Sequence, residues 1–285
     1  MVSCQAMTDE SSPIRNISDT ALWIAAYRAL ETERRNPLFR DPFAKLLAGA
    51  RGERILHSMR GAIGGAWSMA VRTRVIDDFV KKTVRDGEVD TVINLAAGLD
   101  TRPYRLELPS RLKWVEVDLP GMVAYKKKKL AGEKPVCQLE RVALDLSDTA
   151  ARRELFRKLG VASSRVLVIT EGLLPYLSDD AVAAFSRDLH AETHFKWWVI
   201  DVVSPTIVKW VQKTWGKQLE AAQAKIQFGP KEGAAFFEKH GWKLLEWKSF
   251  LEEGKRLRRL PPYLFLPALV APIFRSFAGI ALLER

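Results

Sequence analysis

The chain has 285 residues, of which 47% are hydrophobic and 28% charged, so it can bury a sizeable core and is not mostly disordered. Its formal net charge of +11 favours anionic partners, namely nucleic acid, acidic lipid surfaces or acidic small molecules, without choosing among them. The two cysteines, Cys4 and Cys137, cannot form a disulfide framework or a thiolate metal site, and they fit a reducing cytoplasm. We therefore predict a cytoplasmic protein without a metal site.

The two ends of the chain differ in composition from the rest. Residues 1–13 are polar and have no apolar run of the kind found in a secretory signal, so we expect residues 1–17 to form a flexible N-terminus. Residues 260–274 carry no charge but include four prolines, and the segment is shorter than the about 20 residues that span a bilayer. We expect it to pack over the core or a pocket. A weak contact with a membrane surface stays open, because residues 255–259 are basic.

The first part of the chain is predicted to be helical. Ser18 can cap a helix that runs to Thr32, and Asp41 with the following proline starts another. Residues 66–85 also have a helical pattern. We therefore expect residues 18–86 to form a helical prelude and residues 87–285 to form an α/β domain.

Strands alternate with helices throughout that second part. We predict strands at residues 89–95, 112–117, 137–142, 166–169, 195–202, 242–250 and 278–283, the last of them at an edge. Helices are predicted to begin at Pro120, after Asp148 and at Asp179, and further helices to lie between Thr206 and Lys239. This alternation is typical of an α/β fold with a parallel sheet, in which ligands bind beyond the carboxyl ends of the strands.

The loops after the first two strands carry residues suited to a nucleotide-like cofactor. Ala96 and Gly98 are small and allow a ligand to approach the backbone, although the G-x-G-x-x-G fingerprint is missing. Asp118 follows Gly98 by about 20 residues, the spacing at which a carboxylate accepts hydrogen bonds from a ribose diol. An ordinary tight turn and a helix-opening aspartate are the alternatives.

The third and fourth loops add two more carboxylates. Asp145 can accept a hydrogen bond from an exocyclic amine while Leu146 covers a base, and the alternative for Asp145 is a helix-start residue. Glu171 ends an apolar strand, where a partly desolvated carboxylate needs a cation or a ligand as its partner.

Four strings, in this order after the helical prelude, carry a resemblance to a known family: NLAAGLDTR, EVDLP, LDL and TEGLLPYL. They resemble the leucine carboxyl methyltransferase-like family of S-adenosylmethionine-dependent methyltransferases, in its bacterial O-methyltransferase branch. The resemblance covers roughly residues 18–247. It implies a Rossmann-like seven-stranded methyltransferase sheet, mostly parallel with an antiparallel last strand, and a helical prelude that closes the cofactor site.

The resemblance also implies S-adenosylmethionine as the cofactor and assigns its adenosine part. Asp118 would bind the ribose hydroxyls. Asp145 and Leu146 would contact the adenine. Ala96 and Gly98 would lie under the methionine part, and because many relatives have a glycine where Ala96 and Ala97 stand, the approach there would be less open.

For the methionine end of the cofactor, the resemblance points to two charged residues. Arg72 would pair with the carboxylate, because a guanidinium offers a fork matched to it. Glu171 would lie near the amino group. Both assignments agree with the charges of the groups involved.

The methyl acceptor is expected to be a small apolar or acidic molecule, methylated on a carboxylate or a hydroxyl. Tyr176 can hydrogen-bond and orient such an acceptor, and a plain packing role is its alternative. Trp210 and Trp215 can line an apolar acceptor pocket. Other functions also stay open, namely an NAD-type oxidoreductase on a similar sheet, or a basic protein that binds nucleic acid or a membrane surface. We expect no specific nucleic-acid partner, and the oligomeric state stays open.

Overall fold

The computed structural model describes residues 14–59, 62–87, 89–264 and 278–285. Most of the predicted N-terminal segment 1–17, and residues 265–274 of the predicted apolar segment, lie outside this set. Within it, no helix is both long enough and apolar enough to cross a membrane.

Seven strands form one sheet in the order β3-β2-β1-β4-β5-β7-β6. Strands β1 to β5 pair in parallel, and β7 pairs antiparallel with both β5 and β6. The strands are Thr91–Leu95 (β1), Lys113–Asp118 (β2), Gln138–Ala143 (β3), Val166–Thr170 (β4), Phe195–Val203 (β5), Lys243–Ser249 (β6) and Ala278–Glu284 (β7). The predicted mixed sheet with an antiparallel last strand is therefore confirmed.

The helices flank this sheet and precede it. They are Ile17–Thr32 (α1), Ala44–Ser58 (α2), Ala62–Asp86 (α3), Arg102–Arg105 (α4), Pro120–Lys129 (α5), Thr149–Val161 (α6), Asp179–Ala191 (α7), Pro205–Ala221 (α8) and Phe250–Arg256 (α9). Short 3₁₀ helices cover Leu174–Tyr176, Gly233–His240 and Pro262–Leu264. Helix α6 is capped by Asp148, as predicted, because its carboxylate accepts a hydrogen bond from the Ala151 N–H.

Three boundary predictions are wrong. Helix α1 is capped by the side chain of Asn16 rather than by Ser18. Helix α2 begins three residues after Asp41, whose carboxylate instead accepts hydrogen bonds from Phe43 N–H and from two side chains. Strand β7 is not at an edge: it lies between β5 and β6, and its five central residues are buried. The apolar run of β7 fits this internal position, since both of its faces are covered.

Alternate residues of the strands belong to two apolar cores, one on each side of the sheet. Ile93 and Leu95 point to the side covered by α6 and α7, and Val92 points to the side covered by α3. A third apolar cluster joins α1 and α2 to α5 and α8, through residues such as Trp23 and Val211. The helical prelude is therefore packed against the α/β domain next to the carboxyl ends of β1 and β2.

Candidate functional site

A cavity of about 710 Å³ opens at the carboxyl ends of β1, β2, β3 and β4. Its volume is in the range of pockets that hold a small ligand or cofactor. Six residues of α1, from Ile17 to Arg28, line one side of it. All eight residues predicted for the site line this cavity: Arg72, Ala96, Gly98, Asp118, Asp145, Leu146, Glu171 and Tyr176. Their individual roles stay predictions, but the structure brings them together.

The turn after β1 has an unusual backbone. Ala96 has φ of 54° and Gly98 has φ of 50°, so both lie in the left-handed region. A Cβ atom on Gly98 would stand 3.3 Å from the Cβ of Ala21 in α1, a close approach between the turn and the covering helix. Glycine is thus required at 98, whereas an alanine at 96 is strained.

Replacing Ala96 by glycine is expected to leave the free energy of unfolding within about 0.5 kcal/mol of the parent or to raise it. The left-handed conformation costs an alanine about 1–2 kcal/mol, which roughly offsets the entropy that glycine loses on folding. Ala97→Gly is the matched control, because Ala97 has no positive φ and should lose about 0.5–1 kcal/mol. Urea unfolding of both variants checks this, and equal losses would mean that Ala96 is not strained.

Asp118, at the end of β2, is held by two backbone N–H groups. Its Oδ2 accepts a hydrogen bond from Gly98 N at 2.6 Å and its Oδ1 accepts one from Leu119 N at 2.7 Å. Burial raises the pKa of this carboxyl, although the two N–H donors act in the opposite direction. The hydrogen bond to Gly98 ties the turn after β1 to the end of β2, so the two predicted cofactor residues are in direct contact.

Asp145 and Leu146 follow β3 at the same edge of the sheet. The Asp145 carboxylate accepts a hydrogen bond from Ser147 N at 2.9 Å, a local turn before the cap of α6. Asp145 is exposed, and Leu146 is half-buried and packs against the core under α6 and α7. The helix-start role belongs to Asp148, which leaves Asp145 free of that role at the cavity wall.

Arg72, which is buried, and Glu171, which is half-buried, form an ion pair at the edge of the cavity. Arg72 Nε lies 3.0 Å from Glu171 Oε1, and Arg72 Nη1 donates a hydrogen bond to Asp201 Oδ2 at 3.2 Å. The Nε–H of Arg72 is buried but not aligned for a hydrogen bond with any described residue. The Nε of Arg72 is therefore in ion-pair contact with Glu171 without an aligned hydrogen bond to it. Burial opposes the charge of Arg72, but the two carboxylates outweigh it and raise its pKa.

A second arginine completes the environment of Glu171. Arg102 Nη1 donates to Glu171 Oε2 at 2.8 Å and to Asp100 Oδ2 at 2.9 Å, and its Nε donates to Asp77 Oδ1 at 2.7 Å. Arg105 also donates to both oxygens of Asp77. Burial would raise the pKa of Glu171, but Arg102 and Arg72 lower it, so Glu171 is ionised at neutral pH.

Folding stability should depend on Asp100 in acid. Burial would raise its pKa, but Arg102 overrides burial and lowers the pKa from 3.8 to about 2. A lowered pKa stabilises the folded state above pH 4, and this contribution of about 2 kcal/mol is lost as the pH falls from 4 to 2. We expect Asp100→Asn to be less stable at pH 7 and to lose less stability between pH 4 and pH 2, measured by urea unfolding. Parallel pH curves for parent and variant would contradict this.

Tyr176 lies in the 3₁₀ turn after β4 and faces α1. Its hydroxyl is hydrogen-bonded to the side chain of Thr20, and burial raises its pKa. The tyrosine is therefore protonated at neutral pH and can hydrogen-bond to a ligand, but it is not a base. This contact also connects α1 to the turn after β4, which forms the opposite wall of the cavity.

The two tryptophans considered for the acceptor pocket lie outside the cavity. Trp210 is 52% exposed and Trp215 packs between Trp210 and Trp23, so neither lines it. Among the arginines, Arg74 does not line the cavity, since it pairs with Asp78 and donates to Leu38 O. Arg102 does line the cavity, but carboxylates neutralise it. The surplus of positive charge in the composition is therefore not concentrated in this pocket.

Sequence reasoning missed four residues of the ion-pair cluster: Asp77, Asp100, Arg105 and Asp201. The sequence did contain a signal for Asp201, because it is a single carboxylate near the end of the apolar strand FKWWVIDVV. The structure shows that Asp201 is buried. Asp77 and Arg105 lie on helices and had no comparable signal. Within the described part of the chain, no group of three or more metal-ligating side chains is found.

The family of the chain follows from a sequence comparison. The model of the leucine carboxyl methyltransferase family matches residues 21–189, more than half of the chain. The matched region contains the helix that covers the cavity and the loops after β1 to β4. The chain belongs to this family, and the predicted family is confirmed.

Curated relatives agree with this family and with the predicted cofactor. A protein of Mycobacteroides abscessus is 33% identical over 61% of this chain and 61% of its own length. A protein of Streptomyces coelicolor is 36% identical over 57% of this chain and 60% of its own length. Both are named, provisionally, as S-adenosyl-L-methionine-dependent methyltransferases. The matched region spans about 60% of each of these relatives.

Solved structures share the fold at low sequence identity. A protein of Thermobifida fusca described provisionally as a methyltransferase has a TM-score of 0.62, with 14% identity over 100% of this chain and 99% of that one. A DUF574 family protein from Streptomyces avermitilis has a TM-score of 0.61, with 14% identity over 92% and 96% of the two chains. These similarities establish the methyltransferase fold.

Proposed function

We propose that this protein is an S-adenosylmethionine-dependent methyltransferase that methylates an oxygen of a small molecule, a carboxylate or a hydroxyl. The observation that carries the proposal is the convergence of Asp118, Asp145, Glu171 and Arg72 on one cavity. Bound there, S-adenosylmethionine would supply an electrophilic methyl group on a sulfonium. Family membership and the names of the relatives support the same cofactor.

The residues present fit such a cofactor by charge and by unused hydrogen-bonding capacity. The guanidinium of Arg72 lines the cavity, its Nε–H has no aligned hydrogen bond, and a guanidinium fork suits a ligand carboxylate. Glu171 is held ionised by two arginines and suits an ammonium group. Asp118 would accept hydrogen bonds from the ribose, and Asp145 with Leu146 would contact the adenine. The turn at Ala96 and Gly98 allows a close approach to the backbone.

The lining also favours an acceptor that is already ionised. Among the described residues that line the cavity, none is a histidine, lysine or cysteine. Tyr176 is protonated, and the two arginines lower the pKa of Glu171, which makes this carboxylate a weak base. A hydroxyl acceptor needs a base, whereas a carboxylic acid is ionised at neutral pH and needs only alignment with the methyl group. The cavity therefore supports a carboxylate acceptor better than a hydroxyl.

The apolar side chains around the cavity suit a small acceptor with a hydrophobic body. Ile17, Ile24, Leu173 and Leu177 line it between α1 and the turn after β4. Burying such surfaces against an apolar ligand removes them from water and is favourable in free energy. Tyr176 lies among them and can orient the acceptor through its hydroxyl.

Two measurements test this function. Calorimetry should show saturable binding of S-adenosylhomocysteine and none of NAD, and the absence of binding by S-adenosylhomocysteine would refute the proposal. A panel of matched apolar acids and alcohols, incubated with methyl-labelled cofactor, should give base-labile esters from the acids. Label found only in ethers would keep the methyltransferase and move the acceptor to a hydroxyl.

The alternative functions have less support. An NAD-type oxidoreductase is not favoured by the family match or by the relatives. A specific nucleic-acid function is likewise not favoured by these comparisons.

A further inference from the structure

Three lysines form a row on the exposed side of α8. Lys209, Lys213 and Lys217 recur at every fourth residue, so they lie one above another on the helix, and all three are exposed. In the described ranges, no carboxylate lies within ion-pair distance of these three ammonium groups, although other lysines have such partners. The row is therefore a local concentration of uncompensated positive charge.

Trp210 adds a large apolar ring to the same side of α8. It is 52% exposed, which is rare for a tryptophan in a chain that buries most of its aromatic side chains. Its ring packs edge-on against Trp215 at 5.3 Å between centroids, and Trp215 packs in the same way against Trp23 of α1. The ring of Trp210 is thus held in place by its contact with Trp215.

The opposite side of α8 is buried. Val208, Val211 and Leu219 are all less than 9% exposed, and the last two belong to the apolar cluster that includes α1. The helix cannot roll to bury Trp210 without exposing these residues. The face made by Lys209, Trp210, Lys213 and Lys217, here called the α8 face, is therefore a fixed feature of the surface.

We propose that the α8 face docks the protein on an anionic lipid surface. Charge complementarity supports this partner, since lysines close to an anionic bilayer are attracted to its headgroups. An indole ring beside them is suited to the boundary between headgroups and acyl chains. A lipid interface satisfies both features at once.

Docking through this face would bring the cavity close to the lipid. Gln223, two residues after the end of α8, lines the cavity, and α1 lies between the cavity and the tryptophan contacts. The docking proposal itself does not rest on the proposed methyl transfer.

Vesicle co-sedimentation with the full chain tests the proposal. Vesicles of phosphatidylcholine with about 30% phosphatidylglycerol should bind the parent, and vesicles of phosphatidylcholine alone should not. The variant with K209Q, K213Q and K217Q should bind at least about 10-fold more weakly, because each lysine near the surface contributes about 5-fold. The matched control carries K127Q, K128Q and K134Q, three exposed lysines elsewhere with the same change in net charge, and should stay within about 2-fold of the parent.

Tryptophan fluorescence separates insertion from simple charge attraction. The emission of the parent should shift to shorter wavelength when anionic vesicles are added, and W210A should lose that shift and bind several-fold more weakly. Absent binding by the parent, or an equal loss in the control variant, would overturn the proposal. The proposal would also be overturned if the α8 face variants lost binding to single-stranded RNA but kept the vesicle binding of the parent. The α8 face would then be a nucleic-acid surface.

Discussion

Asp118→Ala is expected to weaken the binding of S-adenosylhomocysteine by about 100-fold or more while the protein stays folded. Two ribose hydroxyls would each lose a hydrogen bond to a charged acceptor, and such bonds contribute about 1.5–3 kcal/mol each. The variant also frees Gly98 N–H and Leu119 N–H, the two donors that hold the carboxylate in place. Isothermal calorimetry measures the loss.

Asp148→Ala is the matched control for this variant. Asp148 is exposed, caps α6 and does not line the cavity. The change should cost about 1 kcal/mol of stability and leave the affinity unchanged. An unaltered dissociation constant for Asp118→Ala would place the ribose elsewhere.

The affinity should also fall in mild acid. Burial raises the pKa of Asp118, so this carboxyl takes up a proton at a higher pH than an exposed aspartate would. A protonated carboxyl is a weaker acceptor for ribose hydroxyls. We therefore expect binding to weaken as the pH falls, and Asp118→Asn to bind weakly with little pH dependence.

Arg72→Ala is expected to lower the free energy of unfolding by about 3–5 kcal/mol. Removing the guanidinium leaves the half-buried Glu171 with one of its two arginines and the buried Asp201 without its only ion-pair partner among the described residues. Burial already raises the pKa of Asp201 despite the neighbouring Arg72. Urea unfolding at pH 7 measures the loss.

Arg74→Ala controls for the loss of an arginine from α3. Arg74 lies two residues further along the helix, and its ion pair with Asp78 is about 40% exposed on both sides, so the cost should be about 1 kcal/mol or less. Equal losses for the two variants would mean that the Arg72 ion pairs contribute nothing beyond a surface pair.

The role of Arg72 in binding needs a variant that keeps its charge. Arg72→Lys retains a cation but cannot make the separate contacts of the guanidinium with Glu171, Asp201 and a ligand carboxylate. We expect it to fold and to bind S-adenosylhomocysteine at least about 10-fold more weakly. A folded Arg72→Lys variant with unchanged affinity would remove Arg72 from the cofactor site.

The sequence determined the parts of this protein that depend on local pattern. Short apolar runs such as residues 166–169 located the strands, and Asp148 and Pro120 marked helix starts correctly. Residues that follow parallel strands share one edge of the sheet, and for this reason the sequence alone groups Gly98, Asp118, Asp145 and Glu171. The motif strings then indicated the family.

Tertiary structure alone decided the pairing of charges and the place of β7. Asp77 lies in α3 and Asp201 lies in β5, and only folding brings them to Arg102 and Arg72. The sequence does not predict such contacts, because the partners of a buried charge are the groups close to it in space and not those close to it in the chain. The apolar pattern of β7 does not distinguish an internal strand from an edge strand that is covered by helices. Its position between β5 and β6 depends on hydrogen bonds between segments far apart in the chain.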